Sequence, residues 1–290
     1  MSKSQKILLI IACAVIAISG FMLFKNLIEY KAAKDEYTEL TQYTQPVSAL
    51  SEVSLDDAAE SLTEDIIDQD ELLEEEEAYK FKRNFNRNDF PELEVDFESL
   101  KAINPQVVAW LYVGATDISY PVVQDPSDDK NEYYLHHTLE GKENSSGCIF
   151  MDWEVDPELT SWNTFIYGHN MKNGTMFGSL KKFINNKTLY DKDPYIYIFR
   201  EEGIYRYKIY SYYLDKPDTK MYYTCDTLKE YRAYIRTALE MSVRDCDVPI
   251  NEEENSVTLV TCSGSGAGKK RFFVHGKIID RYLYPEKSHN

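Results

Sequence analysis

The chain has little of what a metal centre or a polyanion site requires. Of its 290 residues only five are histidine and five cysteine. The cysteines, Cys13, Cys148, Cys225, Cys246 and Cys262, form no C-x-x-C pair and no other zinc-ligand spacing. Neither a metal nor a cofactor is expected. No basic stripe is long enough to neutralise a row of phosphates, so nucleic acid is not an expected partner. A phosphate cradle is missing as well. In the pattern G-x-x-x-x-G-K-[ST] the first glycine would be Ser263, and Lys269 is followed by Lys270 and an apolar run. No internal repeat is visible. One stretch lacks bases altogether: residues 51–77 hold 13 Asp or Glu and no Lys or Arg. The net charge of -17 is largely theirs, because outside them 36 acids face 32 bases. The acidity therefore says little about what the folded part binds.

What is present begins with an uncharged, mostly apolar run from Ile7 to Phe24. Eighteen helical residues span about 27 Å, close to the hydrocarbon thickness of a bilayer. The small-x-small triplets Ala12-Cys13-Ala14 and Ala17-Ile18-Ser19 lie inside the run, which argues against a cleaved signal peptide. An uncleaved, single-pass anchor over 7–24 is expected. Lys3 and Lys6 favour residues 1–6 inside and the bulk of the chain outside, against Lys25, Lys31 and Lys34 on the other flank. Residues 25–85 are expected to form an acidic, partly helical stalk, with Leu55, Ala59, Leu62, Ile66 and Leu73 partly sharing one face. The folded domain is expected over 86–290. Its cysteines Cys148, Cys225 and Cys246 are expected as small buried hydrophobes rather than disulfide partners.

From about Asn86 the pattern is that of short strands. Strands are predicted at 107–113, 118–123, 147–151, 164–168, 195–200, 204–214, 256–261 and 271–283. A short helix around Phe97, Leu100 and Ile103 is stopped by Asn104-Pro105. One longer helix, Thr227–Val243, places Leu228, Tyr231, Ile235 and Leu239 at helical spacing. Aromatics at 13% suit such β-rich faces. Many strands and few helices predict a mainly β fold, a closed barrel or a sandwich with accessory helices.

Cys262 ends the run Val257-Thr258-Leu259-Val260-Thr261 and is followed by Ser, Gly and Ala alone up to Gly268. A strand end holds a side chain firmly, and small loop residues let a substrate backbone come close. A nucleophilic thiol needs a base. His289 lies in the tail, His275 within a strand, and His136 and His137 follow "NEYYL". His169 stands just past the strand Thr164–Tyr167, in a loop with Asn170, Asn173 and Gly174, which is the same design as Cys262.

Three motifs then carry a resemblance. Thr258-Leu259-Val260-Thr261-Cys262 matches T-L-x-T-C. Arg271 follows nine residues on, at the start of "RFFVHGKII". Gly168-His169-Asn170 matches a G-H-N/T loop. In this order and spacing they resemble the sortases, cysteine transpeptidases of Gram-positive cell surfaces, over about Phe97 to Tyr282. "DFESLKAINPQVVAWLYV", "ISYPVVQ…YYL" and "GHNMKNGTMFGSLKKF" resemble class B of that family, as does the long helix before the cysteine strand. The chain shows no second apolar anchor at its end, which separates it from the pilus-polymerising class.

The resemblance implies a closed eight-stranded β-barrel with an N-terminal helix and a long helix before the cysteine strand. It implies Cys262, His169 and Arg271 as catalytic residues, and secreted proteins with an NPQTN-like or P-x-T-G-like C-terminal sorting motif as substrates. The acceptor would be an amine of peptidoglycan or of a pilin. Tyr167, Val260, Thr261 and His136 are the expected groove residues. The chain departs from class B at two of them, with Val260 where Ser is frequent and His136 where Asn is frequent. Alternatives of other kinds are a hydrolytic cysteine peptidase and an inactive surface-binding module. An L,D-transpeptidase is disfavoured, since "TLVTCSG" does not fit S-x-G-C-[VI]-R.

Overall fold

The computed structural model of the chain describes residues 2–45, 87–128, 130–186, 188–249, 254–262 and 270–285, with the backbone alone at Cys262. The first element, α1 (Lys3–Leu40), is one unbroken helix of 38 residues, about 57 Å long at 1.5 Å per residue. Ser2 caps its start together with Gln5. It is long and apolar enough to cross a membrane by length and composition. Its large apolar side chains from Ile7 to Ile28 are exposed. From there the helix turns to packing. Ala33, Glu36, Tyr37 and Leu40, spaced as one helical face, are buried against the barrel.

Two observations bear on the described ends of the expected stalk. Residues 25–40 continue α1 and dock. The chain then forms β1 (Thr44–Gln45), which pairs antiparallel with β2 (Glu94–Val95), Thr44 opposite Val95. The two ends of the stretch between these strands thus lie side by side. The acidic block at 51–77, with its expected helical face, lies outside the described residues.

Next comes α2 (Phe97–Ile103), where the Asp96 carboxylate accepts from Ser99 N at 3.0 Å as an N-cap. Eight strands close the barrel: β3 (Val107–Val113), β4 (Ile118–Val123), β5 (Ile149–Met151), β6 (Asn163–His169), β7 (Tyr195–Arg200), β8 (Gly203–Asp215), β9 (Ser256–Cys262) and β10 (Arg271–Leu283). Their order around the barrel is β10-β8-β7-β3-β4-β5-β6-β9. Closure removes both sheet edges, the usual liability of β folds. The predicted barrel is borne out, with strand bounds within two residues of those expected. The β4–β5 and β6–β9 pairs are parallel, and the rest antiparallel.

Strand alternation divides the apolar residues between two clusters. Val257, Leu259 and Val274 fill the barrel interior with Leu111 and Ile166. Phe165, Val260 and Phe273 face outward into a second cluster. The long helix α6 covers this outer face; α3 (Tyr133–His136), α4 (Lys182–Asn185) and α5 (Leu189–Lys192) precede it as single turns. Helix α6 (Leu228–Met241) starts in a capping box, Thr227 with Glu230, and buries Tyr231, Tyr234, Ile235 and Ala238. The face is rotated from the expected one. Leu239 is 41% exposed, and Tyr234 fills its place because its ring reaches the sheet. Cys148, Cys225 and Cys246 are buried free thiols, as expected. Burial pushes the first two up to about 12, which keeps them protonated and inert.

Candidate active site

Two neighbouring pairings bring the three candidate residues into one row. In the parallel β6–β9 ladder, His169 is the partner of Cys262. In the antiparallel β9–β10 ladder the pairing ends with Phe273 opposite Val260, and Arg271, two residues before Phe273 at the start of β10, has its charge within reach of the His169 ring. Three adjacent strands therefore bring the imidazole, thiol and guanidinium residues to one end of the sheet, with His169 and Cys262 side by side. His169 is the last residue of β6 rather than a loop residue, because the strand continues through Gly168. That glycine is required by its neighbours. A Cβ there would lie 2.4 Å from Ile149 Cδ1 and 2.9 Å from the Phe177 ring. Any side chain would push β6 away from the barrel and shift His169.

The His169 ring is half-buried, and its Nε2 lies 2.8 Å from Leu135 O, in the turn α3. A carbonyl oxygen only accepts, so Nε2 carries a proton, and the neutral ring presents its lone pair at Nδ1. Among the described residues Nδ1 has no hydrogen-bond partner. Burial pulls the imidazole below its ordinary value of 6.5; the bond to Leu135 O opposes this, and the charges of His136 and Arg271 reinforce it. The electrostatic reach also places the exposed His136 and the half-buried Arg271 close to the ring. A neutral imidazole with a free nitrogen beside a fixed cation suits proton transfer next to a developing oxyanion. Lys270 is exposed, and Lys269 lies outside the described residues.

The four expected groove residues divide. Tyr167, two residues before His169 and so on its side of β6, is half-buried. Its ring lies against Phe150, Phe165 and Tyr222, and its hydroxyl donates to Asp152 Oδ2 at 2.7 Å. His136 is exposed at the end of α3. Val260 and Thr261, by contrast, are 0% and 2% exposed. Val260 is packed in the cluster under α6, and the Thr261 hydroxyl accepts from Phe272 N at 3.0 Å. Both side chains are held in packing in this structure, unlike Tyr167 and His136. Sequence reasoning missed Leu135, which acts through its backbone and leaves no trace in residue type. It also missed Tyr222, whose ring lies 5.2 Å from Phe273 and 6.4 Å from Tyr167. The aromatic pair in "MYYTC" was the available signal. Among the described residues no cluster of His, Cys, Asp or Glu could hold a metal ion.

Comparison with known proteins agrees with this geometry. Residues 111–279 match the Sortase domain family. Sortase B of Listeria monocytogenes is 28% identical over 214 residues, 72% of this chain and 85% of that protein. A Staphylococcus aureus sortase B–substrate complex superposes with a TM-score of 0.59 at 29% identity, covering 63% of this chain and 84% of the other. Clostridium perfringens sortase B gives a TM-score of 0.58 at 31% identity, covering 64% of this chain and all of that structure.

Proposed function

The chain belongs to the sortase family, and from that premise we propose that it is a membrane-anchored transpeptidase of class B type. It would cleave a C-terminal sorting motif of secreted proteins after Thr and join the acyl group to a cell-wall amine. The observation that supports this most is the β6–β9 pairing that sets His169 beside Cys262, with Arg271 opening the adjacent strand β10 to complete the row. The chemistry follows from the row. The Cys262 thiol gives its proton to His169 Nδ1, and the sulfur attacks the peptide carbonyl. The Arg271 guanidinium holds the tetrahedral oxyanion. As the C–N bond breaks, the same proton passes from Nδ1 to the leaving amine, and a thioester remains. An incoming amine then loses its proton to Nδ1, attacks the thioester and releases Cys262 as the thiol. Tyr167 and His136, which flank the row, are the candidate peptide contacts.

The apolar half of α1 supports a single-pass anchor, with residues 1–6 inside and the barrel outside. NPQTN-like and P-x-T-G-like motifs are both compatible with the residues around the row, as are peptidoglycan and pilin amines. The test is a peptide library read by intact mass, with and without added amines. Wild type is expected to form a thioester at Cys262 and to transfer it to amine. Cys262→Ala is expected to lose turnover by at least about a thousandfold. Cleavage by Cys262→Ala would remove the site assignment. Release to water alone, unaffected by amine, would favour a peptidase. No adduct with any peptide would favour a surface-binding module.

A further inference from the structure

The docked half of α1 reaches the candidate histidine through two short layers of hydrogen bonds. In the outer layer, Tyr37, 7% exposed, donates its hydroxyl to Gly147 O at 2.7 Å, with its ring edge-on to Tyr120 at 5.4 Å. One helical face earlier, Asn144 Nδ2 donates to Glu29 O at 3.1 Å. Helix α1 thus grips both ends of the segment 144–148. In the inner layer that segment holds the turn α3. Cys148 N donates to Tyr134 O at 2.8 Å, and Asn144 N donates to His136 O at 2.8 Å. The carbonyl between these two, Leu135 O, is the one that accepts from His169 Nε2 at 2.8 Å. Three consecutive carbonyls are therefore engaged, the outer two by the segment that α1 clamps and the middle one by the imidazole.

The packing between the layers leaves no slack. Gly147 has φ +56°, and a Cβ on it would stand 2.4 Å from Tyr134 O and 2.8 Å from Leu135 O. The backbone of 147 lies directly on the carbonyl that orients the ring. A displacement of α1 of a few tenths of an ångström is passed on rather than absorbed.

We infer that Tyr37 is a positioning residue for His169, so that the membrane helix is part of the catalytic framework and not a tether. The inference rests on the transpeptidase reading for its kinetic consequence, but the coupling itself can be read without activity. When the clamp loosens, α3 retreats and the ring gains water. Leu135 O and His136 leave with α3 while Arg271 on β10 stays, and because burial is the largest cause of the depression, its relief outweighs the lost bond to Leu135 O.

The test uses the full chain in nanodiscs. In Tyr37→Phe the ring packing is kept and only the donation to Gly147 O is lost. The expected result is a kcat lowered about three- to tenfold with KM within twofold, since the defect lies in the orientation of the base. The acid limb of kcat and the His169 ring titration, followed by NMR of labelled histidine and assigned with His169→Ala, both move up toward 6.5. Asn144→Asp removes the second clamp donor but keeps the acceptor for Ser146 N, and shifts the same readouts in the same direction by less. Thr38→Val is the control on the same helix, since that hydroxyl donates back to Lys34 O, and it leaves both unchanged. A His169 titration in Tyr37→Phe identical to wild type overturns the proposal. Absence of transfer by wild type overturns instead the reading of the enzyme, while the titration still reports the coupling.

Discussion

Strand β9 carries two histidine rows four residues apart, and they have opposite fates. At its end, Cys262 lies beside His169. In its interior, Thr258 lies beside His275 on β10 and Phe165 on β6. Both rows offer an imidazole next to a hydroxyl or thiol residue. In the interior row the ring is 0% exposed, and both nitrogens are engaged. Nδ1 meets Thr258 Oγ1 at 3.0 Å and Tyr234 OH at 3.3 Å, and Nε2 meets Tyr213 OH at 3.1 Å. Burial takes that ring down to about 3. At the strand end one nitrogen is fixed by Leu135 O and the other has no partner among the described residues. The residue type is the same and so is the sheet. What differs is whether α6 lies above, so access and, among the described residues, one unengaged nitrogen separate the proposed catalytic histidine from the structural one.

The comparison breaks most sharply by deleting each ring in turn. His169→Ala is expected to lower transfer by about 10²–10⁴-fold with little change in melting temperature, because its ring is half-exposed. His275→Ala is expected to do the reverse. It empties a fully buried ring site and leaves the Thr258, Tyr213 and Tyr234 hydroxyls facing a void, at a cost of about 3–5 kcal/mol. The melting temperature should fall on the order of 10 °C, while the folded fraction keeps near-normal kcat. Paired melts and single-turnover assays decide it. A large kcat loss in folded His275→Ala would mean the two rows are not independent.

Much of this was legible beforehand, for stated reasons. The β3 and β4 bounds follow from apolar runs such as "VVAWLYV" and "ISYPVV" ended by turn residues, and short-range pattern suffices there. The thiol, the imidazole and the guanidinium were singled out by motif. Their meeting in one row was not readable, because it depends on a parallel β6–β9 pairing between residues about 93 positions apart. Tertiary contact also decided the docking of α1. Its second half looks like a mixed-charge helix in isolation, and only the barrel surface tells that Tyr37 and Leu40 are buried. The burial of Val260 was not readable for a related reason. Being two residues from Cys262 says nothing about what covers it, and α6, distant in sequence, covers it.

Acid should separate the rows on a finer scale. The folded value of His275 lies below its unfolded 6.5, so the fold favours the neutral ring. Its contribution to stability is complete above about pH 6.5 and is lost as pH falls toward about 3. The loss has a slope of up to about 1.4 kcal/mol per pH unit. His169, also depressed, adds a smaller loss of the same sign from the same upper limit. Urea midpoints between pH 7 and pH 4 measure the sum. His275→Gln keeps hydrogen-bonding groups in place but cannot titrate, and it should flatten the curve by close to one proton. An unchanged slope would mean that His275 is not the buried group responsible.

The smallest expected effect sharpens the comparison at the boundary between the rows. Val260 pairs with Tyr167 on one side and Phe273 on the other, midway between the open row and the covered one. Class B sortases frequently carry Ser there, which makes Val260→Ser an informative change. Since Val260 is fully buried under α6 and Tyr222, the substitution removes apolar packing and buries a hydroxyl. The expected cost is about 2 kcal/mol of stability. The order in which the variant prefers sorting peptides should stay that of wild type, because the side chain has no surface in the groove. A reordered preference at unchanged stability would place residue 260 in the groove wall after all, and with it the cover that distinguishes the two histidine rows would have to open when peptide binds.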